Sequence, residues 1–205
     1  LALRFLEDYA IRLGKPLIII FGLGSANGSR TGASPLAEMM ENLTKKPNIS
    51  VITCMGNEAN NKCHYKGTVM SALVPDVMEI NVDGTGKGFT MEIWADSLDI
   101  LSVSIESPSG EYVPRIPARM GASMEYTFLY EGSTVTVDYQ ITENVAGMEV
   151  IFVRLKTPVE GTWKFYIYSL TNIKGSYNAW LPLKQFSGQD IYFLKSDPDT
   201  TLTVP

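Results

Sequence analysis

The stretch TWKFYIYSL, Thr162–Leu170, sets Trp163, Phe165 and Ile167 at alternate positions. Successive side chains of a strand point to opposite faces, so this spacing predicts a strand with one buried face. TVTVDYQI, which begins at Thr134, alternates in the same way. Outward from these two, 76–82, 88–95, 99–106, 111–116, 123–130, 148–156 and 176–183 also have strand character, with Gly, Pro, Asn and Asp in the gaps. Eight or nine short strands over about 115 residues imply an all-β sandwich, jelly-roll in strand count.

Before about residue 66 the pattern is different. Leu1–Leu13 carries apolar residues at helical spacing, Gly14 suits the C-cap, and Pro16 lies just beyond. LIIIF, Leu17–Phe21, is apolar throughout, as expected of a strand covered on both faces. Ser34 and Pro35 open a second helix running to about Lys45. ISVITCM, Ile49–Met55, is the next buried strand expected. Helix, strand, helix, strand is the rhythm of a parallel α/β sheet.

A net charge of −5 with scattered Lys and Arg argues against nucleic acid or an anionic membrane surface as the main partner. No apolar run approaches the roughly 20 residues of a membrane-spanning helix. The chain begins in helical pattern without Met and ends in DPDTTLTVP, so it reads as an internal piece of a longer protein.

Few residues look chemical. Cys54 and Cys63 are the only cysteines and are expected as free thiols. Cys63 and His64 have no second ligand cluster, so no metal is expected. His64, the only histidine, lacks a nucleophile-elbow sequence and fits a structural or surface role. GLGSANG, 22–28, follows a strand, but the next helix starts too late for a dinucleotide fingerprint, and no cofactor is expected. Trp94, Trp163, Tyr166, Tyr168 and Trp180 suit core positions or a sugar-binding face. Asp197 and Asp199 suit a solvated loop more than a calcium site. Asn57 has two readings. At the C-terminal end of a parallel strand, its carboxamide can donate to a developing oxyanion. It can equally be a turn residue tolerating unusual φ.

The ordered set NGSRTGASPL, GNEANNKCHYKG, GFTMEIWA, SPSGEYVPRIPAR, GTWKFYIYS, YNAWLPL and DPDTTLTVP resembles the subtilisin-like serine proteases. Within them it resembles the clostridial branch that includes the spore germination proteases. The resemblance covers essentially the whole chain. It implies an α/β fragment of a subtilisin-like parallel sheet, residues 1–66, an inserted jelly-roll sandwich, 67–190, and a return segment, 191–205. Asn57 matches the side-chain donor of the oxyanion hole. Leu23 and Gly24, with Gly22 and Gly56 beside them, match the strand ends that hold substrate backbone.

There are departures. Gly22 stands where the family usually has Ser, Ala59 where it has Gly, and Arg30 where this branch often has His. The segments carrying the catalytic Asp, His and Ser are absent. The resemblance therefore implies an internal segment of a serine endopeptidase, inactive alone, whose intact parent takes peptide or protein substrates. It places the protein in a bacterium, in the cytoplasm or with the spore. The alternative is a pseudoprotease, or a sandwich acting as an interaction or carbohydrate-binding module. The short parallel sheet also suggests packing on the sandwich, or self-association through open sheet edges.

Overall fold

The computed structural model describes residues 1–29, 32–95, 100–119, 121–141, 148–170 and 175–197, leaving aside the side chains of residues 59, 141, 185 and 186. Arg30, Asp199 and the closing residues from 198 lie outside them. The described residues divide into two compact units, one from Leu1 to Asn57 and one from Glu58 to Asp197.

The first unit contains helix α1 (Ala2–Leu13), strand β1 (Leu17–Phe21), helix α2 (Pro35–Thr44) and strand β2 (Ile49–Thr53). Local chemistry sets the helix ends. Gly14 takes the left-handed conformation at the C-cap of α1 with φ 62°, a region that costs glycine nothing because it has no Cβ. Ser34 Oγ accepts the Ala37 N–H at 3.0 Å, satisfying one orphan donor at the start of α2. β1 and β2 pair in parallel, from Leu17 opposite Ile49 to Phe21 opposite Thr53. Leu3, Ile19, Met40 and Leu43 form the buried centre, flanked by Leu17, Phe21, Ile49 and Val51.

The expectation that LIIIF is covered on both faces is corrected. Ile19 is buried, but Ile18 and Ile20 are 66% and 75% exposed, and Ile52 on β2 is 52% exposed. Alternate residues face opposite sides of a sheet. The buried cluster draws on residues 17, 19, 21, 49 and 51, which all lie on one side.

The second unit holds β3 (His64–Val69), β4 (Asp76–Asp83), β5 (Gly88–Ala95), β6 (Leu101–Glu106), β7 (Tyr112–Ile116), β8 (Ser123–Thr127), β9 (Thr134–Ile141), β10 (Glu149–Lys156), β11 (Gly161–Ser169), β12 (Gly175–Trp180), a short helix α3 (Lys184–Ser187) and β13 (Asp190–Phe193). They form a six-stranded sheet, β3-β12-β5-β10-β9-β8, and a five-stranded sheet, β13-β4-β11-β6-β7. One core joins the two sheets. Met91, Ile93, Val137 and Ile151 from the first meet Met78, Ile80, Val103, Phe165 and Trp163 from the second, all fully buried. The alternation in TWKFYIYSL is realised on β11, where Trp163, Phe165 and Ile167 point into this core.

The expected α/β fold class, with its subtilisin-like parallel sheet, is overturned. The chain is mainly β, and every strand pair of the second unit is antiparallel. Parallel pairing among the described residues is confined to β1 and β2. A parallel neighbour needs a long crossover, usually helical. Among the described residues α2 supplies one such crossover, enough for a single parallel pair.

A polar cluster sits inside the sandwich. Tyr65 and Tyr177 both donate their hydroxyls to Asp76 Oδ2, at 3.0 and 2.8 Å. Burial, reinforced by the Asp76 carboxylate, raises both phenols above their ordinary value of about 10. Burial raises Tyr139 as well; its hydroxyl donates to the Ile116 carbonyl at 2.9 Å. A raised folded-state pKa contributes stability that is complete below the unfolded value and is lost as pH climbs through the folded one. Unfolding stability should therefore fall above about pH 10. Urea titrations across alkaline pH, followed by tyrosinate absorbance, check this. Tyr65 and Tyr177 ionising while the protein stays folded, near pH 10, would contradict it.

Candidate functional site

The matched residues of the first unit converge at one end of its parallel pair. Because Phe21 lies opposite Thr53, the chain leaves both strands at the same edge. Gly22, Leu23 and Gly24 follow β1, and Cys54, Met55, Gly56 and Asn57 follow β2. The two exits touch: Cys54 Sγ lies 3.7 Å from the Leu23 carbonyl oxygen, a weak thiol donor contact. The carboxyl ends of parallel strands are where α/β folds place ligands, beyond the last ladder hydrogen bonds.

β2 stops at Thr53, two residues short of the expected Met55, and the backbone turns further on. Gly56 has φ 77°, in the left-handed region that a side chain disfavours. This turns the chain three residues past the end of β2, just before Asn57. Asn57 is exposed, as are Gly22, Leu23 and Gly56, while Gly24 is half-buried. Leu23 is 67% exposed. A Cβ on Gly22 would meet nothing within 4 Å, so the backbone there is open to close approach. The arrangement offers a neutral amide donor beside an uncovered stretch of main chain.

The other sequence candidates fall elsewhere. His64, expected in a structural or surface role, opens β3 and is buried at 3% exposure. Its Nε2 lies 3.0 Å from Asn178 Oδ1 and its Nδ1 lies 3.2 Å from the Asp197 carbonyl. Its ring packs on Trp180, with centroids 4.8 Å apart. Both ring nitrogens are engaged, so the role is structural. Cys54 and Cys63 are unbridged thiols, and Cys63 Sγ lies 3.9 Å from the Glu58 carbonyl. Trp163 is fully buried, and Trp94 and Trp180 pack with Val150. Tyr166 and Tyr168 point outward from the five-stranded sheet. A cleft of about 290 Å³ in the second unit is lined by Glu58, Lys62, Asp83, Lys184 and Asp190 among others. Within it Lys184 pairs with Asp190, Glu58 accepts from Asn61, Asp83 accepts from Asn81, and Lys62 lies over the Tyr192 ring.

Sequence reasoning missed two residues of the outward tyrosine face, Tyr112 and Arg115. YVPR shows no clean alternation because Pro114 and a register shift interrupt β7. The signal that could have found them is the sequence spacing of Tyr112 from the turn at Ser107–Gly110, which fixes where β7 pairs with β6.

No family model matches the chain, and no curated protein matches it. Among solved structures, it superposes on the CspB protease of Clostridium perfringens with a TM-score of 0.86 at 23% identity. This chain has the fold of part of that protease. The match covers 99% of this chain and 42% of the other, so the chain spans less than half of the relative's length. The likeness is one of fold, and it takes in both the parallel pair and the β-sandwich.

Proposed function

We propose that residues 1–205 form the substrate-strand and oxyanion-donor segment of a subtilisin-like serine endopeptidase. One observation carries the reading: Gly22–Gly24 and Gly56–Asn57 emerge side by side from paired parallel strands, in contact through Cys54 and Leu23. Leu23 and Gly24 hold the peptide substrate as an added strand, through main-chain hydrogen bonds. The Asn57 carboxamide donates to the oxyanion that forms when a serine attacks the scissile carbonyl. A neutral donor fits that task, because it stabilises the new negative charge without surrendering a proton. Gly56 lets the backbone turn so that the amide is presented.

The serine and its base come from outside these residues. The one histidine of the chain is His64, held by Asn178 and Asp197 within the sandwich. The 205-residue chain by itself should give no turnover of a fluorogenic peptide. The full-length gene product should hydrolyse the same peptide and be labelled at a serine by a fluorophosphonate probe. Absence of both activity and labelling in the full-length protein would refute the endopeptidase reading.

A further inference from the structure

The loop that leaves β1 holds an Asn-Gly pair, Asn27 and Gly28, at the close of the GLGSANG stretch. Every other asparagine of the chain precedes a residue that carries a Cβ. Asn27 and Gly28 are both exposed, and both lie outside the helices and strands. The Asn27 N–H donates to Ser25 Oγ at 3.0 Å. That bond engages the amide on the N-terminal side of Asn27, whereas the Gly28 amide lies on its C-terminal side. Gly28 has φ 102°, a region that glycine enters at no steric cost. A Cβ placed on it would meet nothing within 4 Å, so no group beyond its chain neighbours crowds its backbone.

These features favour one reaction. Asparagine is among the chemically labile side chains, and its carboxamide carbon stands at the spacing of a five-membered ring from the next backbone nitrogen. Base removes the Gly28 N–H proton, and the nitrogen attacks Asn27 Cγ. The N–Cγ bond forms as the Cγ–Nδ2 bond breaks, and Nδ2 takes a proton from water and leaves as ammonia. The product is a succinimide. Water then opens the ring at either carbonyl. One opening gives aspartate, and the other gives isoaspartate, with the main chain running through Cγ. The sum is carboxamide plus water to carboxylate plus ammonium, so no oxidant or reductant enters. Ring closure needs close approach of the nitrogen to the side chain, which a Cβ on the following residue obstructs. Gly28 has none.

We infer that Asn27-Gly28 is a site of spontaneous deamidation through a succinimide. The other described asparagines are worse placed. Asn42, Asn81 and Asn178 are held inside α2, β4 and β12, where backbone pairing fixes the main chain. The reaction changes the segment just beyond Gly24. It adds a negative charge to a chain whose net charge is already −5. The isoaspartate form also lengthens the main chain there by a methylene.

The test is peptide mapping by mass spectrometry of the 205-residue chain after incubation in mildly alkaline water labelled with heavy oxygen. Asn27 should convert before any other asparagine, with one heavy oxygen incorporated and isoaspartate in excess over aspartate. The folded chain should react within a few-fold of the rate of the urea-unfolded chain, because both residues are exposed and outside the regular elements. Gly28→Ala should lose most of the product. Asn27→Gln should lose it too, because its ring would need an extra atom, and its thermal melt should overlay that of the parent. The proposal is overturned if Asn27 stays intact, if another asparagine converts as fast, if aspartate forms without isoaspartate, or if the folded chain is far slower than the unfolded one. None of these outcomes bears on the endopeptidase reading, which is decided by turnover and serine labelling.

Discussion

Replacing Asn57 with Ala in the full-length protein should lower kcat for peptide hydrolysis by roughly a hundred- to a thousandfold. KM should barely move, because the donor acts on charge that appears only in the transition state. The substitution is also mild for the fold. Asn57 is exposed and lies past the end of β2, so a thermal melt of the variant should overlay that of the parent. Asn57→Asp separates donation from size. A carboxylate of the same shape cannot donate, and it repels the oxyanion, so it should be at least as slow as Ala. Steady-state kinetics on both variants, with the melt as control, decides the matter. An unchanged kcat in Asn57→Ala would end the oxyanion assignment.

Gly67→Ala should destabilise the sandwich by about 3 kcal/mol, because one methyl group meets both overpacking and a buried polar network. A Cβ at Gly67 would fall well inside contact distance of the Tyr177 ring and of Asp76 Oδ2. Tyr177 is fully buried and cannot swing into solvent. Moving either group breaks the paired hydroxyl contacts of Tyr65 and Tyr177 to Asp76. For a chain of this size the midpoint should drop by roughly 6–12 °C. Gly22→Ala is the matched control. Its Cβ enters open space and its φ is negative, so its midpoint should stay near that of the parent. Equal midpoints for the two variants would show that the cluster relaxes without cost.

Much of this was legible locally. Helix ends follow from the glycine at position 14 and the serine at 34, whose chemistry acts within a few residues. The strands of the sandwich follow from alternation, since one face is buried and the other wet. His64–Val69 and Asp190–Phe193 escaped because they are short and mix charge with aromatics, and pairing alone makes them strands. The matched positions 22–24 and 56–57 could be named from resemblance, but their contact through Cys54 could not.

The amino-acid sequence by itself determined where helices stop, which residues alternate, and that the chain turns at Gly56 and Asn57. Those features depend on local φ preferences and side-chain period. Only the tertiary structure decided that the chain is mainly β, that one face of LIIIF stays bare, that His64 is buried and engaged, and that Tyr112 joins Tyr166 across two strands. Each depends on which distant segments pair and what covers a given face. Burial and register are properties of partners far along the chain, and no window of neighbouring residues contains them.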